Sequence, residues 1–255
     1  LNSMRQTIPV VVFLILVLVF WEFCVYAFNI PEYLLPKPSI IFTKLFQSLS
    51  FLYPHIGVTA LESFLGFLLG VLLGTLLAMV FVHSKTLELS VYPYAIALKT
   101  VPIVAIAPLL IVWFGNGILP KVIVAAIISF FPVVVNTVKG LRSIDAEAFD
   151  LFDSLAASKW QVFIKLRIPT SLPYIFSSLR IASTLAVIGA IVGEFSGADK
   201  GLGFFILISS HRLETVDMFV GILLSSLLGI TFFYAIALIE RYVVPWSRII
   251  SAEAE

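Results

Sequence analysis

Val58-Thr-Ala-Leu-Glu-Ser-Phe-Leu-Gly-Phe-Leu-Leu-Gly-Val-Leu-Leu-Gly-Thr-Leu-Leu-Ala-Met-Val-Phe-Val82 runs with one ionisable side chain, Glu62. A bilayer core about 30 Å thick needs about 20 apolar residues in helical form, and this stretch supplies them. Working outward, five more segments read the same way: Ile8–Phe28, Leu89–Phe114, Leu119–Val138, Pro173–Phe195 and Val216–Val244. None alternates with period two, so a membrane barrel is not indicated. Ile8–Phe28 is too long for a signal-peptide core and lacks a small-residue cleavage site, so it reads as a span.

Composition agrees. The 255 residues are 60% hydrophobic and 12% charged, with a mean hydropathy of +1.10. A soluble domain carries about 25% charge, and half that cannot coat a globule of this size. A cytosolic enzyme, a nucleic-acid binder and a disordered chain are excluded. A single cysteine, Cys24, excludes a disulfide framework and a multi-cysteine metal site. The fold class is therefore an all-α membrane protein of six transmembrane helices, read as one domain over residues 1–255.

Orientation follows from lysine and arginine in the loops. One set of loops holds Arg5, Lys85, Lys139, Arg142, Lys159, Lys165, Arg167, Arg241 and Arg248; the other holds Lys37, Lys44, Lys121, Lys200 and Arg212. The imbalance puts both termini in the cytoplasm. Lys99 and Arg180 fall inside spans. Two stretches read as interfacial connectors on the outer surface: the amphipathic Lys37–Ser50 and, more weakly, Gly201–Arg212.

Lys139–Leu172 is too long and too patterned for a connector of about five residues. Nine of the 31 charged residues lie between Lys139 and Arg167. Asp145 is placed to cap a short helix with Glu147 in its first turn and Phe149, Phe152 and Leu155 on one face. A second short helix carries Trp160, Phe163, Ile164 and Ile168, and Pro169 is expected to end it. Such a pair either docks a soluble partner or packs on its own membrane domain.

The same loop resembles the cytoplasmic EAA loop of ABC-importer permeases. Asp150-Leu151-Phe152 stands where Glu-Ala-Ala falls, Ala156 where Gly falls, and Leu166-Arg167-Ile168-Pro169 where Ile-x-Leu-Pro falls, with the spacing intact. Ala156-Ala157-Ser158-Lys159-Trp160-Gln161 resembles the Gly-Ala-Ser-x-Trp-Gln of nitrate/sulfonate/taurine-type permeases. Leu35-Pro36-Lys37-Pro38-Ser39, Val101-Pro102, Ala107-Pro108-Leu109, Trp113-Phe114-Gly115 and Glu194 leading to Gly201-Leu202-Gly203 resemble the same branch. Lys99-Thr100-Val101-Pro102 and Phe130-Phe131-Pro132 look closest to permeases for pyrimidine thiamine precursors or riboflavin.

The resemblance implies a multi-pass protein of the bacterial inner membrane that moves a small polar solute inward by alternating access. It implies a homodimer or a pair with a paralogue, cytoplasmic ATPase subunits carrying ATP and Mg, an extracytoplasmic substrate-binding protein, membrane lipid around the spans, and no nucleic acid. The chain itself would be no enzyme and would bind no cofactor. Coupling to the ATPase falls to Asp150, Ala156, Ser158, Trp160, Phe163, Arg167 and Pro169. Alanine takes positive φ only at a cost, so the turn at Ala156 is where the loop departs from the family pattern.

Four residues are candidates for the translocation path. Pro102 breaks span three and frees backbone carbonyls. Asn136 and Thr184 are polar groups in spans four and five. Glu194 reads as a gate or as a cap for the loop that follows. Each also has a structural reading in helix contacts. Gly66, Gly70 and Gly74 recur every four residues, as helix packing requires. Glu22 and Glu240 have no evident partners. His55, His83 and His211 have no metal spacing, and no P-loop, His-Glu-x-x-His or Gly-x-Ser-x-Gly occurs. The competing class is a stand-alone secondary transporter, which calls for a coupling-ion site and inverted repeats.

Overall fold

The computed structural model describes residues 2–246, with side chains from residue 8 onward except at 95, 96, 98 and 99. Arg248 and the side chains of Arg5 and Lys99 lie outside that description. The described residues form helices α1 (Asn2–Ala27), α2 (Pro38–His83), α3 (Lys85–Thr100), α4 (Ile103–Phe114), α5 (Ile118–Arg142), α6 (Ala146–Ser154), α7 (Lys159–Val162), α8 (Ile168–Phe195), α9 (Leu202–His211) and α10 (Thr215–Val243).

Five helical stretches are long and apolar enough to cross a membrane: Ile8–Ala27, Pro38–His83, Ile118–Arg142, Lys159–Phe195 and Thr215–Val243. The sixth expected span is divided. Pro102 has no N–H, and with Val101 in extended conformation (φ −69°, ψ 128°) the chain splits into α3 and α4. Pro93 and Pro108 lie inside those helices without ending them.

Three expectations are corrected. Lys37–Ser50 is no separate surface helix; from Pro38 it is the opening of α2, which continues through Pro54 for 46 residues. Its apolar face packs inward, with Ile41, Leu45 and Leu52 buried against Leu202, Val220 and Leu224. Burial, rather than an interface, explains the amphipathic pattern. Likewise Pro169 does not end the second loop helix. A π-helical turn over Phe163–Arg167 joins α7 to α8, and the Ile168 N–H reaches the Phe163 carbonyl five residues back. Proline is tolerated because the helix has already widened there. Gly201–Arg212 is likewise no surface connector: α9 packs on α2, α8 and α10, with Leu202 fully buried.

The core is built from small residues. Gly66, Gly70 and Gly74 of α2 face α5 so closely that a Cβ on each would meet Ala125 Cβ, Ser129 Oγ and Val133 Cβ at 2.3, 2.3 and 3.0 Å. Gly189 and Gly193 of α8 do the same against Ala125 and Lys121. Phe67, Ala125, Val133, Ala182, Ala186 and Ala190 fill the seam of α2, α5 and α8. Helices surrounded by lipid gain nothing from hydrophobic transfer between one another, so close van der Waals approach holds them. α2 and α5 run parallel here, and α8 runs antiparallel to both.

The acids left unpartnered by sequence find partners. Glu22 accepts from Ser39 N and Oγ at 3.1 and 2.7 Å, fastening α1 to the start of α2. Arg180 of α8 pairs with Glu240 of α10 at 3.3 Å.

Candidate functional site

The loop between α5 and α8 stands at one end of the bundle. Asp145 caps α6 by accepting from Glu147 N at 3.4 Å. α6 then stops in a left-handed turn. Ala156 sits at φ +52°, its N–H donating to the Asp153 carbonyl at 2.9 Å, while Ala157 N–H reaches Phe152 O at 3.0 Å. These two bonds make a Schellman closure, a geometry that usually takes glycine. The turn keeps its shape with alanine in place, at a cost of about 1 kcal/mol in backbone strain.

Ser158 starts the next helix. Its Oγ accepts from Gln161 N at 3.3 Å, and Gln161 Oε1 accepts from Ser158 N at 2.7 Å. This reciprocal capping box is written in the sequence as Ser-x-x-Gln, the signal by which it can be found. One turn on, Trp160 stacks on Phe163 with ring centroids 6.0 Å apart. Phe163 in turn meets the His83 ring at 5.3 Å, and His83 is fixed by Nδ1 on the Met79 carbonyl at 2.8 Å. Trp160 remains 68% exposed, and Leu151 and Leu155 are exposed beside it in sequence. Asp150 is exposed as well, and Arg167 Nη1 reaches the Leu141 carbonyl at 3.5 Å. The loop thus offers exposed apolar and charged groups on a frame tied to the ends of α2 and α5.

An ion-pair clamp lies at the same end. Arg142 donates to both oxygens of Glu88 at 2.8 Å and to Phe81 O at 3.2 Å, and Lys85 adds a third bond to Glu88 at 2.9 Å. Hydrogen bonds from Arg142 first, then from Lys85, hold the Glu88 carboxyl down to about 2.

The path candidates are not gathered in one place. Pro102 is exposed at the α3–α4 break. Asn136 is half-buried and donates to Pro132 O at 3.0 Å; Thr184, also half-buried, donates to Ile181 O at 2.9 Å. Glu194 is fully buried at the far end of α8, where it receives Thr59 Oγ1 at 2.6 Å and the Gly203 N–H. Its carboxylate accepts at the first turn of α9, as the cap reading expects. Gly201 (φ +119°) is required beside it, since a Cβ there would meet the carboxylate carbon at 2.3 Å. Near this end a cleft of ≈ 530 Å³ opens between Glu32, Tyr33, Lys44, Glu214 and Asp217. Among the described residues no cluster of His, Cys, Asp and Glu is disposed to hold a metal.

Long apolar helices packed through glycines, with a structured polar loop at one end, define a polytopic helical membrane protein. The chain belongs to the family of binding-protein-dependent transport system inner membrane components, whose model matches residues 70–247. It is 37% identical over 244 residues to the formylaminopyrimidine transport permease protein ThiX of Halalkalibacterium halodurans, covering 95% of this chain and 97% of that one. It is 35% identical over 235 residues to the riboflavin transport system permease protein RibX of Chloroflexus aurantiacus, covering 91% and 88%. In fold it is similar to an inward-facing MetNI methionine ABC transporter chain, with TM-score 0.59 and 20% identity over 75% of this chain and 94% of that one. The chain is accordingly a multi-pass permease subunit of an ABC importer.

Proposed function

We propose that residues 1–255 form a single permease domain that supplies half of a two-chain pore, most simply as a homodimer, and moves a small polar solute inward by alternating access. The six spans lie within α1, α2, the α3–α4 pair from Leu89, α5, α8 and α10. Both termini face the cytoplasm, in keeping with the excess of lysine and arginine on that side. ATP and Mg act on separate ATPase subunits; the permease carries no chemistry and no cofactor. An extracytoplasmic binding protein delivers the solute at the end that carries the Glu32–Asp217 cleft.

The observation that carries this reading is the exposed Trp160 stacked on Phe163, in a helix that continues into α8. Asp150, Ala156, Ser158, Arg167 and Pro169 shape and anchor that docking element. Pro102, Asn136 and Thr184 remain the proposed path groups, and Glu194 acts as a cap. The identities to ThiX and RibX support a heterocyclic vitamin or vitamin-precursor cargo over a nitrate- or sulfonate-like anion.

Co-expression with the ATPase encoded beside it, followed by purification through a tag on the ATPase, tests the docking. A stable complex is expected, and Trp160→Ala with Phe163→Ala should dissociate it while the permease still reaches the membrane. Absence of a wild-type complex, or transport unchanged in the double variant, defeats the proposal. Ligand-dependent melting of the adjacent binding protein would identify the cargo.

A further inference from the structure

We propose that the groove between α3 and α5, at the end of the bundle that carries the docking loop, seats an anionic phospholipid. Its acyl chain lies against Tyr92, Val135 and Val138, and its phosphate sits on Lys139. The inference uses the membrane-spanning fold alone and is independent of the cargo and of ATPase docking.

The groove holds ≈ 530 Å³ between the first turns of α3 and the last turns of α5. Its α5 wall is one helical stripe. Val135, Val138, Lys139 and Arg142 fall at i, i+3, i+4 and i+7, and so share a face. The stripe covers about 10 Å of axis and changes along it from apolar to cationic. α3 makes the same change in the opposite chain direction. Glu88 lies beside Arg142, and Tyr92 follows one turn further in, its ring edge-on to Phe81 at 6.3 Å. Both walls therefore turn from apolar to polar at one level. A tyrosine and a lysine above an apolar wall at the end of a span mark the boundary between acyl chains and head groups. Basic pockets between membrane helices at that level take anionic head groups.

The polar groups around the groove decide what it can hold. Glu88 is taken by Arg142 and Lys85. Ser143 Oγ donates to the Gly140 carbonyl at 2.9 Å, and Asp145 is turned to cap α6. Lys139 is exposed, and among the described residues no carboxylate pairs with it. Its ammonium lies 5.8 Å from the centre of the Tyr174 ring, a contact that leaves N–H donors for an oxyanion. Three cations, Lys85, Lys139 and Arg142, thus share the one carboxylate of Glu88 at this mouth. A polar heterocycle is held by several placed hydrogen-bonding groups. The groove offers a free ammonium above walls of valine and tyrosine, and a phosphodiester carried on acyl chains matches that arrangement.

Native mass spectrometry of the delipidated full chain in neutral detergent tests this. Phosphatidylglycerol should be retained about fivefold or more over phosphatidylcholine of the same chains. Lys139→Gln should erase that preference while the melting temperature stays put, and Lys139→Met repeats the test should the glutamine variant fail to fold. Lys139→Arg should keep the preference, as should Lys44→Gln at the opposite end of the bundle. Equal retention of the two lipids by the wild type overturns the proposal, as does an unchanged preference without the Lys139 charge. A preference lost equally in Lys44→Gln reports general charge and overturns it. Inorganic phosphate that displaces the lipid at equal concentration reveals an anion site with no use for acyl chains, and also overturns it. A lipid bound to single chains but absent from dimers gives the groove to a second copy instead.

Discussion

Arg142 grips both carboxylate oxygens of Glu88 at 2.8 Å while its Nη2 reaches the Phe81 carbonyl at 3.2 Å, so one guanidinium ties the ends of α2 and α5 to the first turn of α3. Bidentate geometry makes this more than an ordinary surface pair. Because the folded Glu88 carboxyl sits at about 2, below its ordinary 4.5, the clamp's contribution is fully present above pH about 4.5. It is lost as pH falls toward about 2. Glu88→Gln should remove that part of the acid sensitivity, measured as a flatter dependence of melting temperature on pH across that window. An unchanged profile would show that the clamp contributes nothing.

The left-handed Ala156 stores backbone strain that glycine would not. Ala156→Gly should stabilise the loop by about 1 kcal/mol at most, since glycine also gains freedom in the unfolded chain. Slower amide exchange at Ala157 and Ser158 would report it. Ala156→Val should go the other way and loosen the α6–α7 junction.

The glycines of α2 are not equivalent. A Cβ at Gly70 would lie 2.3 Å from Ser129 Oγ and 2.8 Å from the Ala126 carbonyl, whereas one at Gly57 meets nothing within 4 Å. Gly70→Ala should therefore cost about 1–3 kcal/mol through overpacking, and Gly57→Ala should be neutral or slightly stabilising. Detergent melting of the two variants side by side separates packing from helix propensity.

Ser158→Ala removes one half of the capping box and should cost about 1 kcal/mol locally. If the box matters for docking, capture by the ATPase should weaken while the melting of the membrane helices stays put.

Much of this was readable before any coordinates. The apolar runs locate the long helices, Asp145 announces α6, and the four-residue glycine repeat marks a close helix contact. What sequence hid has definite physical causes. Proline is a stop signal only where the helix cannot widen, and the π turn before Pro169 removes that constraint. An amphipathic stretch looks alike whether its apolar face meets lipid or protein, so Lys37–Ser50 reads as interfacial although α9 and α10 cover it. Thr59 and Glu194 lie too far apart in sequence for local pattern to pair them. The Ser158–Gln161 box is legible from its Ser-x-x-Gln spacing.

The unbroken helix from Lys159 to Phe195 fixes a phase relation. Each α-helical residue turns the rod by about 100° and each residue of the π turn by less, so Trp160 and Glu194 keep a set angular offset over about 50 Å of axis. A single inserted or deleted residue within α8 would swing the exposed tryptophan to another compass bearing while leaving every local contact type available. Chain length in this stretch is thus as constrained as residue identity, and an indel between Pro173 and Gly193 should not be absorbed.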